Sequence, residues 1–168
     1  MNKKSDSDQL STIGYINALK IGHLTKQVPI SPSSGGAFVL SLKMTERIGL
    51  FADLHSNLEA FDACMEKAKE LGVTRMVFLG DLVGYNADPG ALIDRIAEMV
   101  DDKKAIAILG NHDQAVFEDH RHQMNASANA AIEWTKSQLN SSQIQFLKDL
   151  PLMVQEDALC FVHASAHN

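Results

Sequence analysis

The sequence predicts an α/β fold organised around a parallel sheet, and two observations carry that expectation. Short apolar runs alternate with longer segments whose apolar residues recur at helical spacing. Each apolar run also ends in a polar cluster containing Asp, Asn or His, at the sheet edge where open α/β folds collect their functional groups.

The elements follow in order. RIGLFAD, Arg47 to Asp53, reads as a buried strand ending in a carboxylate, and Asn57 to Leu71 then sets Leu58, Phe61, Met65 and Ala68 on one helical face. VTRMVFLGD, Val73 to Asp81, repeats the strand. Pro89 opens a second helix, consistent with proline in a first turn, and Leu92, Ile93, Ile96 and Val100 share its face. Lys104 to Asn111 is the third strand. Strands alternating with helices imply right-handed parallel crossovers, with helices covering the faces of the sheet. Ala126 to Leu139 is expected as a helix with Ile132, Thr135 and Leu139 turned inward and Trp134 as a packing residue. Asn140, three residues before Gln143, has the spacing of a capping box for the segment that ends at Pro151. Leu152 to Val154, a turn at Glu156 and Asp157, and Ala158 to Val162 read as a hairpin leading into His163.

Composition changes near Met44. Gln27 to Phe38 is rich in Pro, Ser and Gly, and only Ile13 to Leu24 shows apolar recurrence before it, so residues 1–43 are expected to be a poorly ordered extension with one short helix. They carry five Lys/Arg against two Asp/Glu, whereas residues 44–168 hold ten against nineteen. An acidic body argues against general nucleic-acid binding and suits a site that collects cations. Cys64 and Cys160 lie among apolar neighbours without metal-finger or Cys-x-x-Cys spacing and are expected to be reduced core residues. No stretch reads as a membrane span or a secretory signal, which gives the expectation of a cytoplasmic protein.

The chemistry gathers at the strand ends: Asp53-Leu54-His55, Gly80-Asp81, Gly110-Asn111-His112-Asp113, and His163. One such end alone is read as a turn or a helix cap; four on one edge supply carboxylates, an amide and imidazoles to one place. Oxygen and imidazole donors without thiolate suit Mn, Fe(II), Zn, Ni or Co and do not select among them. A dinuclear centre needs a bridging carboxylate, and Asp81, on the middle strand in sequence, is the natural candidate. Two cations about 4 Å apart can clamp a phosphoryl group during in-line attack.

In order, DLH (Asp53 to His55), GDLVG (Gly80 to Gly84) and GNHD (Gly110 to Asp113) resemble the calcineurin-like metallophosphoesterases. DLHSNLEAF, GDLVGYNADP, AIEWTKSQL and FVHASAHN are further similar to a bacterial branch described as phosphodiesterases or protein-phosphatase-like enzymes. The resemblance covers Met44 to Asn168. It implies an α-β-β-α sandwich in which residues 44–168 supply the first sheet with its helices and only begin the second. It implies hydrolysis of phosphomonoesters or phosphodiesters by two divalent ions, with Mn favoured and a bridging hydroxide as nucleophile. Asp53 and His55 would bind one ion, Asn111 and His163 the other, and Asp81 both. His112 would act near the leaving group as general acid or transition-state stabiliser, oriented by the carboxylate of Asp113.

The family closes its metal set with a Gly-His-x-His segment, and none follows His163 here. His120 to His122 read instead as a solvated loop and His167 as a loop residue, while His23 has no partner in sequence. The domain is therefore expected to be incomplete at its C-terminus, with unpaired sheet edges through which the chain could self-associate. The start at Met44 resembles the usual start of the family, and the extension is accordingly expected to come from an upstream start or a rearranged frame. The alternative function is a non-catalytic fragment or binding module that keeps half of the fold and part of the metal site. Other phosphate chemistries lack their signatures: position 55 is His where a haloacid-dehalogenase nucleophile loop needs Asp, and neither a P-loop, a dinucleotide Gly-x-Gly-x-x-Gly nor a Gly-x-Ser-x-Gly elbow is present.

Overall fold

The computed structural model describes residues 20–24, for which only the backbone is considered, 46–119 and 124–165. The order of elements is β1 (Lys20–Leu24), β2 (Glu46–Phe51), α1 (Leu58–Glu70), β3 (Arg75–Phe78), α2 (Pro89–Asp101), β4 (Ala105–Ala107), α3 (Asn111–Ala115), α4 (Ala126–Gln138), α5 (Ser141–Asp149), β5 (Met153–Glu156) and β6 (Leu159–Val162). The first sheet runs β1-β2-β3-β4. β2, β3 and β4 are parallel, with Leu50 beside Val77 and Val77 beside Ile106. β1 pairs antiparallel with β2, placing Lys20 opposite Leu50, so part of the segment read as a poorly ordered extension with a helix extends the sheet as a strand.

Because the chain steps from β2 to β3 to β4 in one direction, right-handed crossovers deliver α1 and α2 to the same face. Period-two alternation then divides the strand residues. Phe51, Phe78, Ala105 and Ala107 join Phe61, Leu92, Ile93, Ile96 and Leu147 of the helices in one buried cluster. Ile48, Val77 and Phe161 form a second cluster, with Leu50, Leu79, Ile106, Val154 and Leu159 packed against it. The second cluster corrects the expectation of helices on both faces: the opposite face carries the β5-β6 hairpin, a two-stranded sheet of its own. This is the sheet-on-sheet arrangement of the sandwich, with its second sheet begun.

Local chemistry explains the helix boundaries. The Asn57 side chain accepts a hydrogen bond from the Ala60 amide at the start of α1. Asn140 and Gln143 form the expected reciprocal box at α5, Asn140 accepting from the Gln143 amide and Gln143 Oε1 from the Asn140 amide, both at 3.0 Å. The Gln143 amide group then donates to Asp94 at 2.9 Å and so ties α5 to α2. The two sheets are joined by a bidentate pair in which Arg75 on β3 donates to both oxygens of Glu156 on β5, each at 2.7 Å.

Two side chains depart from their expected settings: Trp134 is exposed on α4 and Cys160 is exposed on β6. Cys64 is half-buried against the main core cluster as expected, and both cysteines are free thiols. His120, Arg121, His122 and His167 lie outside the described residues. Among those described, no helix is long and apolar enough to cross a membrane.

Candidate metal centre

The loops after β2 and β3 lie side by side and are zipped by their backbones. Asp53 N donates to Gly80 O, His55 N to Asp81 O, and Ser56 N to Leu82 O, at 3.2, 3.0 and 2.8 Å. To make these bonds the chain puts Asp53, His55, Ser56 and Asp81 in the left-handed region, with φ between 47° and 59°. Such a run of non-glycine residues costs energy and is held by its surroundings. The loop after β4 then closes on the loop after β3. A β-carbon on Gly110 would lie 2.1 Å from the Asp81 nitrogen and 2.3 Å from Asp81 Oδ1, so only glycine permits this approach.

These contacts bring all five expected ligands to one edge. One ligand atom from each of Asp53, His55 and Asp81 lies within 4.8 Å of the others. His163 Nε2, at the end of β6, is 3.4 Å from Asp81 Oδ1 and 3.1 Å from Asn111 Oδ1. Asp81 thus shows Oδ2 to His55 Nε2, at 3.9 Å, and Oδ1 to His163. Its carboxylate is shared between two donor groups, the disposition a bridging ligand requires.

Both imidazoles are aimed by carbonyls. His55 Nδ1 lies 3.1 Å from Val83 O and His163 Nδ1 2.7 Å from Leu79 O. A proton on each Nδ1 leaves the Nε2 lone pairs facing the Asp81 oxygens, a repulsive arrangement unless a proton or cation lies among them. The donor set therefore fits divalent cations. Without a cation, protons take up the load: the hydrogen bond to Asp81 outweighs burial and raises the His163 pKa to about 9. Burial opposes ionisation of Asp81, but His163 and the His112 amide outweigh it and hold the carboxyl below its ordinary range.

His112 sits in the first turn of α3, and its amide donates to Asp81 Oδ1 at 2.9 Å. Its ring meets those of His55 at 4.8 Å and Tyr85 at 4.9 Å between centroids, and burial lowers its pKa against the pull of Asp81. A β-carbon on Gly84 would be 2.8 Å from His112 Nδ1, so the ring rests on bare backbone.

Asp113 requires a correction. Its carboxylate does not orient the His112 ring: Oδ1 accepts from Val83 N at 3.0 Å and Oδ2 from Gly110 N at 2.9 Å. His112 Nδ1 is buried with no hydrogen-bond partner among the described residues. The reason is the position of Asp113 at the third residue of α3, which points its carboxylate back at the amide preceding the helix. Asp113 staples the second and third loops together, and burial together with the Asp81 charge pushes its pKa up to about 7 despite those amide donors. The sequence reading also missed Tyr85, whose ring touches both His55 and His112; a tyrosine one residue beyond the Gly80 to Gly84 segment was its only signal.

Fold and donor set together define an α/β protein with a potential seat for divalent cations on the strand-end edge of its parallel sheet. Residues 46–161 match the calcineurin-like phosphoesterase family, and the chain belongs to it. An uncharacterized protein of Methanocaldococcus jannaschii is 33% identical over 123 residues, covering 70% of this chain and 49% of that protein. The crystal structure of a metallophosphoesterase from Sphaerobacter thermophilus aligns with TM-score 0.55 and 30% identity, covering 68% of this chain and 45% of that one. A hypothetical protein of Pyrococcus horikoshii OT3 aligns with TM-score 0.56 and 23% identity, over 62% of this chain and 48% of that one, a likeness of fold alone. The chain spans about half the length of these relatives.

Proposed function

We propose that the chain hydrolyses phosphomonoesters or phosphodiesters with two divalent cations, Mn foremost and Fe, Zn, Ni or Co as alternatives. Asp53 and His55 would hold one cation, Asn111 and His163 the other, and Asp81 would serve both. The observation that carries this reading is the divided carboxylate of Asp81, with Oδ2 toward His55 and Oδ1 toward His163. When bound, the cations supply a water-derived nucleophile at neutral pH and charge stabilisation for the phosphoryl oxygens. The chain's own residues do the rest. The Leu79 and Val83 carbonyls aim the imidazoles, and Asp113 locks the loops. His112 stands beside the alcohol that leaves and handles its proton.

The test is hydrolysis of a chromogenic phosphodiester by the purified chain with added Mn, accompanied by a metal titration. Two bound ions without hydrolysis of any ester in a broad panel would falsify the enzymatic reading. A second reading, a non-catalytic fragment or binding module that keeps part of the metal site, draws support from the cluster of Asp53, His55 and Asp81, the one group of three carboxylate or imidazole side chains drawn together for a cation among the described residues. It predicts fewer than two ions, or weak binding of both. Self-association through the exposed Leu152 and Met153 beside β6 and residence in a reducing cytoplasm, which suits two free thiols, belong to the same proposal. Sedimentation analysis tests the former and fractionation of the source cells the latter.

A further inference from the structure

We infer that Tyr85 is a specificity-determining residue: its ring is a platform on which a planar group, carried by the alcohol side of the phosphoester, stacks. This inference rests on the phosphoester reading of the same site. Three observations carry it. Tyr85 is 49% exposed although its ring lies 4.9 Å from both the His55 and His112 rings, so one part packs on the site and another faces solvent. Its backbone is left-handed, at φ 65°, a conformation that strains a residue bearing a β-carbon and that Gly or Asn would adopt more easily. Finally, that conformation is clamped from the next residue. Asn86 N donates to Gly84 O at 2.9 Å and to His55 O at 3.2 Å, and Asn86 Nδ2 donates to His55 O at 2.8 Å.

A large aromatic ring is thus fixed, at some cost, against the histidine assigned to the leaving group. An alcohol departing past His112 meets the uncharged ring of Tyr85 before it meets solvent. Offset or edge-to-face stacking rewards a planar group there over an aliphatic group of the same size. The other flank of the site differs: near Asn111 and His163 it opens into a cleft of about 370 Å³ whose walls include Gln114, Leu152 and Met153 and, among the described residues, no Phe, Tyr or Trp ring. Discrimination by planarity therefore belongs to the Tyr85 side.

The test compares phenylphosphonate with cyclohexylphosphonate, two unhydrolysable ligands of equal charge and similar size, by calorimetric titration of the Mn-loaded 168-residue chain. Phenylphosphonate is expected to bind roughly 2- to 10-fold more tightly, the fold-change of one aromatic pair. Tyr85→Phe should keep that preference and Tyr85→Gly, which suits the backbone, should erase it. Equal binding of the two ligands, or no binding, overturns the inference. So does a preference that survives Tyr85→Gly, or one lost in Tyr85→Phe, which would assign it to the hydroxyl. The ester panel is scored separately. Planar preference without hydrolysis sinks the esterase reading and leaves the platform standing; hydrolysis without planar preference does the reverse.

Discussion

The two donor groups of the centre are built differently. Asp53, His55 and Asp81 belong to two neighbouring loops zipped by three backbone hydrogen bonds and carrying five left-handed residues other than glycine. Their geometry is fixed within the parallel sheet. His163 reaches the second group from β6, on the other sheet, and its position depends on the packing of Phe161 against Ile48 and Val77 and on the Arg75–Glu156 pair. One half of the centre is therefore preformed locally, while the other is as stable as the contact between two sheets. Where two cations bind, the half held by packing should be the weaker.

The largest break in this comparison is at Asp81, which belongs to both halves. Asp81→Ala should remove binding of both ions in a metal titration. Loss of several kcal/mol of charge stabilisation corresponds to hydrolysis slowed on the order of 10³-fold. Retention of two tightly bound ions would show that Asp81 does not bridge. Phe161→Ala separates the halves. Emptying that position of the second cluster should cost about 3 kcal/mol in denaturant unfolding and weaken one ion far more than the other. Equal weakening of both ions would mean that the halves are not independent.

Much of this was legible in the sequence because period and punctuation are local properties. The three parallel strands, the helices after the first two of them and the Asn140–Gln143 box could be read from short windows, and the polar ends of apolar runs marked the edge where Asp53, His55, Asp81, Asn111 and His163 meet. What escaped was set by contacts distant in sequence. The direction in which successive strands are added decides that α1 and α2 share one face, and no window reports it. Pairing of β1 with β2 joins residues 22 to 30 positions apart on backbone hydrogen bonds that any side chains would allow. Asp113 was misassigned because a carboxylate next to a histidine in sequence suggests a partner, whereas a helical first turn points neighbouring side chains in different directions.

A gentler probe is pH. In the cation-free chain His163 keeps its proton up to about pH 9, so at pH 7 a cation entering its group must displace that proton. The expected outcome is proton release on titration with Mn, read as a dependence of the apparent enthalpy on the ionisation heat of the buffer. Apparent affinity should fall as pH is lowered from 9, with the second group losing its ion first. Because the folded pKa is raised, His163 also stabilises the cation-free fold most fully below its unfolded value near 6.5, and loses that contribution as pH rises through 9. Buffer-independent enthalpies at pH 7 would remove His163 from the ligand set.

The smallest expected effect bears on Tyr85, at the preformed half. Tyr85→Gly gives up two ring contacts, each worth about 0.5–1.5 kcal/mol, and about 0.4–1 kcal/mol of unfolded-chain entropy. Against this it relieves a left-handed backbone that costs a side-chain-bearing residue roughly 1–2 kcal/mol. The contributions largely cancel, so the midpoint of thermal unfolding should move by only a few degrees. A marked destabilisation would mean that the ring is a structural prop and that the zipped loops depend on it. A near-neutral result alongside lost ligand preference would separate the two roles: the loops hold themselves, and the ring is placed there for what binds.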